Sequence, residues 1–250
     1  MTNTMIRATI DATIAEESLD AEAGYERLVA LTSALAVVHP SLGGWYSLAN
    51  TKNGPTVPLQ NKVAFLADAT ASSSDAEEPE GGFRATLSTA PDDKTWLAPG
   101  RALLTFEPSQ GYITFEIYEP VRAHGEAATA ELFRRALAAI AQIENLMFGA
   151  TDVNARRQSG KGLEMYMGDH QLFPHRRWLG WMGFVPHPIE SRHIPEAAAL
   201  IPVGRKGTVI VAVDECFDLH NPAHLKRAHE VEARMAHLGL LEVTDASLLG

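Results

Sequence analysis

One cysteine, Cys216, occurs in 250 residues, which excludes an intrachain disulfide and a cysteine-based structural zinc site. No apolar run nears the roughly 18–20 residues that a membrane-crossing helix requires. The opening MTNTMIRATIDATIAEESLD has no basic stretch followed by an apolar one, so no secretory signal is expected and a cytoplasmic location is the simplest expectation. Basic residues are scarce as well: 21 Lys and Arg stand against 31 Asp and Glu, a net charge of −10. Direct nucleic-acid binding needs a basic stripe to neutralise phosphates, so it is disfavoured.

Catalytic and metal motifs are missing too. His229-Glu230-Val231-Glu232 departs from the H-E-x-x-H zinc pattern, because Ala233 stands where the second His belongs. His220 and His224 are four apart, but His220 precedes a helix cap, so the two need not share a face. His170, His175, His187 and His193 follow no ligand spacing and read as locally hydrogen-bonded or surface residues. Ser159-Gly160-Lys161-Gly162 lacks phosphate-loop spacing and reads as a turn. Cys216 lies in DECFD, where neighbouring carboxylates raise a thiol pKa, and reads as a buried structural thiol. Asp214, Glu215 and Asp218 precede a helix N-terminus, where negative charge is favourable without any metal. No cofactor or metal is expected, and the chain reads as a non-enzyme.

What is present is a foldable chain, 46% hydrophobic and long enough for a full core. Ile6–Ile14 alternates like a half-buried strand. Asp20 opens a helix through Val38, ended by His39-Pro40; Trp45–Leu48 reads as a strand, Lys52–Pro58 as a loop and Asn61–Ala69 as a short helix. Ala71–Gly82 is rich in Ser, Glu, Pro and Gly and reads as a loop within one sheet or a linker. Phe83–Thr89 is a predicted strand; Ala102–Phe106 and Tyr112–Tyr118 form a hairpin, the latter a central strand. The longest predicted helix runs Glu126–Phe148, followed by a strand over Thr151–Ala155. Trp178–Val185 is a predicted strand that points Trp178 and Trp181 to opposite faces, with one in the core and one exposed, or with both buried between layers. One helical turn at Pro195–Ala199, a hairpin of Leu200–Val203 with Thr208–Val213, and a helix capped by Asn221 and Pro222 and stopped at Gly239 complete the chain. Hairpins outnumber crossovers, so the fold class is α+β: a mostly antiparallel sheet packed with two or three long helices. Residues 1–250 read as one domain; Gly44-Trp45 and Gly180-Trp181, each after a strand and helix, leave open a duplication of about 1–110 and 111–250.

An N-terminal strand and helix leading into HPSLGGWYSL, then RRWLGWMGFVP, IPVGRKGTVIVAV and NPAHLKRAHEVEARMAHLGLL, resemble the immunity protein 52 family of bacterial polymorphic-toxin systems. The resemblance spans most of the chain and is densest from Trp178 to Leu241. It implies a cytoplasmic inhibitor of a cognate nuclease toxin of the restriction-endonuclease fold, with type VI secretion effectors among the toxins concerned. Residues 1–100 carry 13 Asp and Glu against 6 Lys and Arg, an imbalance that serves solubility or steers a basic partner. Asp75, Glu77, Glu78, Glu80, Asp92 and Asp93 are the expected toxin-contacting residues. The alternative is a small-molecule enzyme or sensor with a site of dispersed His and Asp/Glu.

Overall fold

Alternating and apolar segments from both halves of the chain assemble into one ten-stranded sheet in this computed structural model, which describes residues 4–49, 54–74 and 82–249. In chain order the strands are β1 (Met5–Ile14), β2 (Tyr46–Ser47), β3 (Ala85–Ser88), β4 (Ala102–Glu107), β5 (Tyr112–Tyr118), β6 (Leu146–Arg156), β7 (Leu163–Met165), β8 (Met182–Val185), β9 (Ala199–Val203) and β10 (Gly207–Val211). They lie in the order β2-β3-β4-β5-β1-β6-β8-β10-β9, with β7 paired to β6. Every pairing between these strands is antiparallel. Ile10 of β1 faces Phe115 on one side and Thr151 on the other. The helices are α1 (Ala21–Val38), α2 (Lys62–Ser74), α3 (Pro120–His124), α4 (Glu126–Ile143) and α5 (Pro222–His237). The fold is α+β, with three long helices.

The helix starts follow their caps. Asp20 accepts from the Ala23 N–H at 2.8 Å and Asn221 from the Ala223 N–H at 3.0 Å, each satisfying a donor that the first turn leaves open. At the other end of α5, Gly239 adopts φ +72, the left-handed conformation that closes a helix.

Four boundaries differ from the sequence reading. The predicted helix Glu126–Phe148 stops at Ile143, and Leu146–Phe148 instead begin β6 by pairing with Ile14 and Thr13. Lys206 Nζ donates to the carbonyls of Gln142 at 2.7 Å and of Ile143 and Glu144 at 3.3 Å, satisfying the acceptors that end α4. The predicted strand Trp178–Val185 starts at Met182, because Gly180 holds φ +69 where a Cβ would lie 2.3 Å from the Thr151 carbonyl oxygen. The helical turn expected at Pro195–Ala199 is a non-helical turn running into β9. The loop expected from Ala71 begins later, since α2 continues through Ser74.

Period-two alternation gives the sheet two unlike faces. One face packs on α1 and α4: Phe115 meets Phe133 at 6.1 Å between ring centroids, and Phe133 meets Trp181 at 5.7 Å. Leu28, Leu31 and Leu35 of α1 are fully buried there, each contributing about 1.5–3 kcal/mol by removal from water. On the other face the alternate residues of β1, β4 and β5 remain partly open, and a groove lies there.

Candidate functional site: a groove on the open face of the sheet

Three central strands make the floor. Asp11 and Thr13 of β1, Tyr112 and Thr114 of β5, and Phe148 and Ala150 of β6 line a groove of about 650 Å³. Cross-strand register explains the grouping, since Asp11 lies between Thr114 and Ala150, and Thr13 between Tyr112 and Phe148. The opposite wall comes from the segment 167–178, including Met167, Pro174, Arg176 and Trp178.

That wall hangs on one buried carboxylate. Glu232 of α5, 1% exposed, accepts from the N–H groups of Leu179 at 2.9 Å, Gly180 at 3.1 Å and Leu172 at 3.2 Å. A buried charge is tolerable only when so satisfied. Asp152 does the same from the sheet, accepting from Val153 N–H at 2.9 Å and Met167 N–H at 3.1 Å. Arg176 donates to the Leu241 carbonyl at 2.9 Å, and Arg177 pairs with Glu242 at 3.0 Å while donating to Thr13 Oγ1 at 2.9 Å. The Arg177 guanidinium lies 5.2 Å from the Phe148 ring centroid.

The charges on this face are unevenly matched. Glu116 is held by Arg7 at 3.1 Å and Arg101 at 3.2 Å. Among the described residues, Asp11 receives only a 3.4 Å hydrogen bond from the Thr114 hydroxyl. Its carboxylate opens into the groove but is crowded by protein, and lost hydration, reinforced by the nearby Asp152, pushes its pKa up to about 6. Burial raises the Asp152 carboxyl as well, against the pull of its backbone donors and Arg7.

Comparison with known proteins then places this architecture. The family model of immunity protein 52 matches residues 14–244. The chain belongs to the immunity protein 52 family. No curated protein matches it. Among solved structures, the Pseudomonas aeruginosa T6SS protein PA0821 is 12% identical with a TM-score of 0.50, covering 91% of this chain and 72% of that one. At that identity the likeness is one of fold. A substrate-free duplicated taurocyamine kinase from Schistosoma mansoni, 12% identical, covers 93% of this chain and 33% of its own at a TM-score of 0.31, too low to carry an argument.

In this immunity protein 52 member, the two expected toxin-contacting residues that the structure describes, Asp92 and Asp93, do not line the groove. Asp75, Glu77, Glu78 and Glu80 lie outside the described residues. Asp92 and Asp93 sit exposed in the turn before β4, beside a smaller cleft of about 290 Å³ that also includes Trp96. Asp92 accepts from the Thr95 N–H and hydroxyl, each at 3.0 Å, which holds its carboxyl below the usual range. The two clefts share no lining residue.

The suspicious groups elsewhere are engaged in structural bonds. His224 Nδ1 accepts from the Asp218 N–H at 3.0 Å, while Glu164 bonds His170 at 3.3 Å and also His220. Asp214 pairs with Arg134 at 2.6 Å. Among the described residues, no group of three His, Cys, Asp or Glu side chains is placed to hold a metal ion. The Cys216 thiol is pushed up to about 12, chiefly by burial; its carboxylate contributors are Asp218 and the distant Glu126. Trp181 is sealed, its indole N–H reaching the Val213 carbonyl at 2.9 Å, while Trp178 stays half-buried on the groove wall. No helix among the described residues is long and apolar enough to cross a membrane. The groove itself was missed in the sequence, because its lining comes from five separated stretches, three of them joined by sheet register and two by the folding of 167–178 and Thr244 against that floor.

Proposed function

We propose that this chain is an immunity protein that binds and neutralises its cognate toxin in the cytoplasm by stoichiometric protein–protein contact, without catalysis. The toxin would be a nuclease of the restriction-endonuclease fold, delivered as a type VI secretion effector. Family membership across residues 14–244 carries the reading. The burial of the Cys216 thiol and the structural bonds of His220 and His224 support it, as does the net charge of −10 opposite a toxin that must present a basic surface to DNA. One continuous sheet and one core support treating residues 1–250 as a single domain.

The test is co-purification with the product of the neighbouring reading frame, followed by a DNA-cleavage assay. A complex of fixed stoichiometry in which cleavage stops is expected; free nuclease activity in the presence of excess protein would overturn the reading. The acidic residues Asp75, Glu77, Glu78, Glu80, Asp92 and Asp93 are proposed to steer the encounter. Reversing four of these charges should slow association about tenfold or more at low salt and flatten its salt dependence. Association unchanged at every salt concentration would remove them from the contact.

A further inference from the structure

We propose that the groove on the sheet's open face receives a lysine or arginine side chain of the cognate toxin, with Asp11 as its counter-ion. The rings of Tyr112, Phe148 and Trp178, all on the groove lining, would flank the methylene stem. This rests on the immunity reading and extends it by naming the surface and the chemistry of what enters.

The charged groups facing Asp11 are Arg7 on its own strand, Asp152 on β6 and Glu116 on β5, with Arg176 and Arg177 across the groove. Arg7 is paired with Glu116 and Arg177 with Glu242, while Arg176 donates to the neutral Leu241 carbonyl at the far wall. Glu116 is matched twice and Asp152 takes backbone donors. Asp11 makes no ion pair among the described residues, and its one hydrogen bond is long, at 3.4 Å. A cation entering beside β1 would therefore find an open carboxylate partner in Asp11. Asp11 also costs the free protein something, since its ionised form is disfavoured by crowding and by Asp152. Groups with perturbed protonation in clefts concentrate at functional sites, and the attraction of a bound cation would offset both causes. Aromatic walls with a few charged groups match the usual anatomy of a recognition pocket.

The test uses the full chain and the product of the neighbouring reading frame, with affinity measured by titration calorimetry at about pH 7.5 and about pH 5. Asp11→Asn should weaken binding about tenfold or more at the higher pH. Wild-type affinity should fall about tenfold toward the lower pH as Asp11 takes up its proton, and the variant should lose that dependence. Thr114→Arg, which leaves Asp11 in place and supplies a tethered guanidinium from the neighbouring strand, should block binding while the chain still folds cooperatively. Wild-type binding with both variants binding equally well would overturn the groove and leave the immunity reading standing. No binding by the wild type would overturn both.

Discussion

The two faces of the sheet are built from the same strands and do opposite work. On β1, Ala8, Ile10 and Ala12 are buried against the helices, while Arg7, Asp11 and Thr13 look the other way. One residue step along the chain thus separates a position whose role is packing from one whose side chain meets solvent. The two tryptophans repeat the lesson. Trp181 is fully buried beside Phe133, whereas Trp178, three residues earlier, forms groove wall. Stability on this fold should therefore be lost from one face and recognition from the other.

The largest expected effect is on the packed face. Trp181→Ala removes an indole that is 0% exposed and donates to a buried carbonyl, and should cost about 3–5 kcal/mol in denaturant unfolding. Whatever remains folded should still bind. A melting temperature equal to wild type together with weakened binding would invert the comparison. The next effect joins the two faces through α5. Glu232→Ala strips three backbone N–H groups of their acceptor, costing about 2–4 kcal/mol, while Glu232→Gln should retain roughly half of that. Amide exchange at Leu172, Leu179 and Gly180 should accelerate in the Ala variant. Unchanged exchange there would show that the groove wall does not depend on this carboxylate.

Legibility in the sequence followed locality. Asp20 and Asn221 announce their helices because capping is settled within four residues. The hairpin of β4 and β5 was equally readable, since both strands alternate and a turn joins them. By contrast, β6 was cut short at Thr151–Ala155 and its start given to the preceding helix. It is buried on both faces over most of its length, so it has no alternation to read, and its cover is supplied by β7 and residues 166–178. Gly180 could not be seen as a break in a Trp-rich strand, because what forces it is the Thr151 carbonyl, far away in sequence. The groove obeys the same rule. Asp11 looked like one polar position in an alternating strand, and only its register against Thr114 and Ala150, with Asp152 behind, makes it unusual.

The smallest expected effect is also the one that separates the faces most cleanly. Asp11 has its pKa raised from the ordinary 3.8 to about 6, so the folded chain holds this proton more tightly than the unfolded chain does. Between those two values the unfolded state is the more ionised, and stability falls as pH rises through them; the deficit is then constant at higher pH. Asn has the same shape and never ionises, so Asp11→Asn should melt above wild type at neutral pH. The gain should fade as pH falls through about 6 and vanish below about 4, where Asp11 is protonated in both states. Thermal melts of both proteins across that range measure it directly. A variant that is more stable yet binds its toxin less well would mark Asp11 as a residue kept for contact at the expense of the fold. A variant less stable than wild type at neutral pH would instead make Asp11 part of the framework, and the open face would lose its distinction from the packed one.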